Sequence, residues 1–124
     1  MSAGTAPTIG TVLFVLFGPI VWAGHLLVTY GGHASLCAFG VTSIGRLPTL
    51  PVLLWSATAA ALALLAGGLL WPSGVRRLLR VESSLETENR WLEGLMRLLT
   101  GQSLLGVAYA GVAILLVPNC LPLR

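Results

Sequence analysis

The chain has 124 residues, 56% of them apolar and only 9% charged, and its mean hydropathy of +0.89 excludes an ordinary water-soluble domain. One domain this short cannot bury so much apolar surface in water, so lipid must cover most of it. The formal charge of +3 and pI near 9.5 do not point to nucleic acid, because the excess arginines stand beside apolar runs, where anionic headgroups are the natural counter-ions.

Residues 1–7 are small and polar and read as a short tail. They lack the basic stretch of a cleavable signal peptide, and the apolar run that follows is long enough to span. That run, residues 8–30, holds 23 residues without a charge. As a helix it measures about 34 Å at roughly 1.5 Å per residue, enough to cross a core of about 30 Å. Gly18-Pro19 falls in its middle. Proline removes one backbone bond and crowds the preceding turn, so a kink is expected there.

Residues 31–49 are glycine-rich and read as an outer loop with at most one helical turn. Thr49 can cap the next helix and Pro51 suits its first turn. The second span is expected over 51–71, with Ser56, Ala59, Ala63 and Gly67 recurring on one face. Such a stripe lets backbones approach closely where water gives no hydrophobic push, so this reads as the packing helix. Trp71-Pro72 ends it, the indole at headgroup level.

The connector, residues 72–97, carries every acid and five of the seven arginines: Arg76, Arg77, Arg80, Arg90 and Arg97. In it Val75, Leu78, Leu79 and Glu82 share a face opposed by Arg76, Arg77 and Arg80, the pattern of an amphipathic turn lying on a membrane surface. Ser83 and Glu86 match a capping box. Helical periodicity then runs without a breaker into the third span, 98–117, where Gly106 and Ala110 are small packing positions. Gln102, Ser103 and Tyr109 are polar enough to bond across helices.

Arginines mark the cytoplasmic side of a membrane protein. The fold predicted is therefore an all-α membrane protein with three transmembrane helices, N-in and C-out, in a bacterial inner membrane, with the amphipathic connector in the cytoplasm. This orientation puts Cys37 and Cys120 together on the oxidising side, where a disulfide is expected. It would close a loop of about 83 residues, worth roughly 4–5 kcal/mol in the chain-entropy account.

His25 is the one titratable group well inside a span, and intramembrane ionisable residues are functional candidates. It could ligate haem, relay a proton or bond a quinone. Alternatively it is a neutral imidazole bonded to a carbonyl or hydroxyl between helices. A bis-histidine haem needs a second histidine at similar depth, and His33 lies in the expected outer loop. Trp22, His25 and Thr29 share a face, a surface suited to another helix. No carboxylate falls inside a span, which argues against a proton-coupled transporter, and no zinc spacing, phosphate loop or nucleophile set is present. A holin-like role is a further alternative. The chain reads as non-catalytic, with no cofactor of its own and with lipid as a bound partner.

Gly18-Pro19-Ile20-Val21-Trp22-Ala23-Gly24-His25-Leu26, followed by Tyr30 and Cys37, resembles the start of small bacterial three-helix membrane proteins. Those proteins in turn resemble accessory subunits of haem–copper cytochrome c oxidase complexes. The resemblance implies a respiratory complex whose larger membrane subunits hold the haem and copper. It marks Trp22, His25, Tyr30 and Cys37 and gives none of them a catalytic role; Trp22, His25 and Tyr30 are separately expected to face a partner.

Overall fold

The computed structural model describes residues 9–38, 49–81 and 86–116, and every regular element among them is an α-helix. The helices are α1 (Ile9–Val15), α2 (Phe17–Ala38), α3 (Thr49–Leu70), α4 (Pro72–Leu78) and α5 (Glu86–Leu116). The long helices α2, α3 and α5 each pack against the other two, while α1 and α4 gather at the end of the bundle that carries the connector. Cross-helix neighbours give the directions. Gly18 meets Thr100 and Trp22 meets Gly106, so α2 and α5 run parallel. Gly68 meets Phe17 and Met96, and Gly111 meets Thr58, so α3 runs against both.

Among the described residues, Val52–Leu70 and Glu86–Leu116 are long and apolar enough to cross a membrane. A third crossing is added if α1 and α2 form one bent span. The 31 residues of α5 measure roughly 46 Å and exceed a core of about 30 Å by about three turns. Its five charges all fall in its first part, from Glu86 to Arg97, so the surplus length is at that end.

The kink expected at Gly18-Pro19 lies one turn earlier. A break at Leu16 bends α1 from α2 by 68°. The displacement has a direct cause: Pro19 cannot donate to the carbonyl of Val15, and its ring crowds that carbonyl. The neighbouring bonds survive, Leu16 N–H to the Val12 carbonyl at 2.9 Å and Ile20 N–H to that of Leu16 at 2.9 Å. The bend turns α1 across the bundle end, where Phe14 is fully buried with Leu92 and Met96.

Two expectations about the connections are corrected. Residues 31–38 are not loop: α2 continues through Gly31-Gly32 to Ala38. No proline interrupts it after Pro19, and Gly32 lies beside Leu53 of α3. Val75 of α4 and Leu79, its C-cap, pack on the Phe14 cluster, whereas Leu78 is exposed. The apolar face of α4 is thus covered by α1 and α5 rather than by a membrane surface.

α4 starts at Pro72, whose missing N–H suits a first helical turn. It ends with Arg80 in the left-handed region at φ 50°. The Val81 N–H returns to the Arg76 carbonyl at 3.1 Å and the Arg80 N–H to that of Arg77 at 3.3 Å. This is a Schellman closure in which arginine occupies the position glycine usually takes. Gly10 docks on it, since a Cβ at Gly10 would stand 2.6 Å from the Leu79 carbonyl oxygen. Ser83, the expected cap of the next helix, lies outside the described residues.

Candidate functional site

Among the described residues, the bundle interior holds a polar junction between helices that is built on His25. Its ring is 4% exposed, and Nε2 lies 3.1 Å from Oγ1 of Thr58 on α3. The Thr58 hydroxyl donates to the Leu54 carbonyl at 2.8 Å. Having one proton, it can only accept from the ring, so Nε2 carries the hydrogen and Nδ1 is a bare acceptor. Nδ1 is buried and has no hydrogen-bond partner among the described residues. One turn along, Thr29 donates to the His25 carbonyl at 2.8 Å and is itself buried. The arrangement pins α2 to α3 and corrects the expectation that His25 faces a partner: the ring points into this chain's own interface. The hydroxyl that does this, Thr58, went unremarked in the sequence, where it looks like one more small residue beside the Ser56–Gly67 stripe.

That stripe is on the other side of the helix. Ser56, Ala59, Ala63 and Gly67 are exposed, and a Cβ at Gly67 would meet nothing within 4 Å. The Ser56 hydroxyl bonds its own helix at the Leu53 carbonyl, 2.9 Å away. The face of α3 that packs within the chain is Leu54, Thr58, Ala61, Leu65 and Gly68. Ala61 and Leu65 form a core with Val107 of α5.

On α5 the small residues do meet neighbours. The indole of Trp22 lies across Gly106, whose added Cβ would stand 2.8 Å from Nε1. The ring still leaves Trp22 39% exposed, and Tyr30 is 69% exposed. Ala110 lines a small, mostly apolar cavity of about 120 Å³ with Thr29, Tyr30, His33 and Leu54. Ser103 bonds the Leu99 carbonyl of its own helix at 2.8 Å rather than reaching across. Tyr109 is exposed.

At the opposite end the arginines separate by role. Arg77, Arg80 and Arg90 are exposed. Arg76 is drawn inward: its guanidinium lies 5.6 Å from the Phe14 ring centroid and 3.5 Å from Glu93 Oε2. Arg97 reaches the other oxygen of Glu93 at 2.9 Å, one turn along α5. Arg76, Arg90, Arg97, Glu86, Asn89, Glu93 and Gly94 surround an open cavity of about 560 Å³. No group of three or more His, Cys, Asp or Glu side chains that could hold a metal ion occurs among the described residues. Cys120 and the side chain of Cys37 lie outside the described residues, so the expected disulfide is not part of what they show.

Comparison with known protein families, curated proteins and solved structures finds no match to this chain. The class that the described residues define is a helical bundle with two to three helices long and apolar enough to cross a membrane. No family is assigned to it.

Proposed function

We propose that the chain is a non-catalytic accessory subunit of a larger bacterial inner-membrane complex. The complex is respiratory and of the haem–copper oxidase type, its haem and copper being held by the larger subunits. The observation that carries the reading is the outward face of α3. Ser56, Ala59, Ala63 and Gly67 leave a shallow, side-chain-poor track along a helix whose opposite face is already packed. In lipid such a track favours close contact with another helix. The half-exposed Trp22 and the exposed Tyr30 on α2 supply larger side chains for the same neighbour or a second one, and the resemblance around Gly18–Leu26 supplies the respiratory context.

The orientation proposed is N-terminus in the cytoplasm and C-terminus outside, through three crossings. The charge distribution supports it, with Arg76, Arg77, Arg80, Arg90 and Arg97 on one side of the bundle and Arg46 in the opposite connection. Cys37 and Cys120 would then pair outside. Use of His25 as a haem or quinone ligand is not adopted, because the residue is almost fully buried between α2 and α3 and the nitrogen that Thr58 leaves free, Nδ1, is itself enclosed in the bundle.

The test is purification of the tagged chain from native membranes in mild detergent, followed by mass spectrometry and an absorbance spectrum. The reading predicts recovery with much larger membrane proteins and a haem band that travels with them. Recovery as a lone species would contradict it.

A further inference from the structure

The cavity at the arginine end has the properties of a binding site and not only of a charged surface. Six of its residues, Glu86, Asn89, Arg90, Glu93, Gly94 and Arg97, follow the three/four spacing of a single face of α5, and Arg76 closes it from α4. Arg76 is set in place from below by the buried ring of Phe14 and from the side by Glu93. Among the described residues, three guanidinium groups and two carboxylates line the cavity. Each guanidinium has five N–H donors. Glu93 takes one close contact from Arg97 and a long one from Arg76, and the buried Nε of Arg76 has no partner among the described residues.

Gly94 is the second, independent sign. Glycine inside a helix costs about 1 kcal/mol relative to alanine, and here no packing requires it, since a Cβ at Gly94 would meet nothing within 4 Å. It leaves open the middle of the charged face. The site also lies level with the end of α3, a helix long and apolar enough to cross a membrane. Met96, one turn further along α5 than Glu93, packs beside Gly68 at the end of α3, and the exposed Trp71 and Trp91 flank this level.

We propose that this cavity binds a phosphate group, with Arg76, Arg90 and Arg97 as its donors and Gly94 as the space it occupies. Guanidinium forks match phosphate oxygens bidentately. A phosphodiester brings a negative charge to a set of described lining residues in which guanidinium groups outnumber carboxylates. At this level the natural source is the headgroup of an anionic phospholipid, the other source being a small soluble phosphate. The inference does not depend on the chain having a partner complex.

The experiment is native mass spectrometry of the purified chain titrated with phosphatidylglycerol, with phosphatidylcholine, and with inorganic phosphate as competitor. The variants are Arg90→Gln and Gly94→Leu, both at positions open to solvent, with Arg77→Gln as a control outside the cavity. Expected is retention of a single phosphatidylglycerol in preference to phosphatidylcholine. Binding should weaken about tenfold in Arg90→Gln and in Gly94→Leu and stay unchanged in Arg77→Gln. Displacement by inorganic phosphate at matched concentration would support the site and identify a soluble phosphate as its occupant. Equal retention of the two lipids with no competition by phosphate, an equal loss in Arg77→Gln, or full binding by Gly94→Leu would each overturn the proposal.

Discussion

Gly18 and Thr100 bring the backbones of α2 and α5 into direct contact: a Cβ built on Gly18 would stand 2.6 Å from the Thr100 Cα and 2.9 Å from its nitrogen. Both obstructing atoms are main chain, so no rotamer change can clear them. Gly18→Val must push the helices apart, at a cost of about 1–3 kcal/mol. Gly24→Ala on the same helix, where a Cβ meets nothing within 4 Å, should change stability by less than about 1 kcal/mol. Unfolding in mixed micelles followed by circular dichroism compares the two. Equal effects would show that the close approach is not a determinant of the fold.

Thr100 offers the opposite change. Its side chain is fully buried, and its hydroxyl has no hydrogen-bond partner among the described residues. Thr100→Val keeps the shape and removes the unpaired group, which should stabilise the chain by about 1 kcal/mol. The same micelle titration reads it, and a loss of stability would show that the hydroxyl has a partner.

The His25–Thr58 bond can be isolated by a double-mutant cycle. Thr58→Val alone strands the Nε2 hydrogen inside the bundle. With His25→Leu in the background the same change should cost less, a coupling of about 1 kcal/mol. Additive losses would mean that the bond contributes nothing to holding α2 on α3.

How much of this was open to sequence reasoning differs by level. A charge-free run of more than 20 residues marks a long apolar helix: α3 (Thr49–Leu70) nearly coincides with its run at 51–71, whereas α5 begins at Glu86, twelve residues before the run at 98–117. Which face of α3 turns inward does not follow. The helix is apolar all round, so no contrast between wet and dry sides marks a face, and the small residues of Ser56–Gly67 fit a neighbour on either side equally well. The decision is made by Thr58 meeting His25, thirty-three positions apart in sequence. In the sequence Gly18 stands out only as the neighbour of Pro19, whereas in the fold it meets the Thr100 backbone. The arginine run was legible as the charged end of the bundle. Its division into the inward Arg76 and the exposed Arg77 was not, because it depends on the bend that brings Phe14 beneath α4.

Arg80 is a local conflict that substitution can relieve. Its left-handed φ of 50° is disfavoured for a residue with a Cβ by roughly 1–2 kcal/mol. Arg80→Gly should therefore raise stability by about 1 kcal/mol, measured by chemical unfolding. A drop would indicate that the side chain supports the Schellman closure.

The proposed orientation makes a prediction about the thiols. In intact cells a membrane-impermeant maleimide should label Cys37 and Cys120 only after a reductant is added, and reduction should shift the chain on a non-reducing gel. Labelling that appears only after the membrane is broken would place the arginine connector outside.

The small-residue face of α3 is the surface proposed to belong to another protein. A photo-crosslinking residue at Ala63, which is exposed, and another at Leu65, which is fully buried, test it most directly in native membranes. The account predicts an adduct from position 63 with a much larger membrane protein and none from position 65. Adducts from position 63 with lipid alone, or only with further copies of this chain, would contradict it.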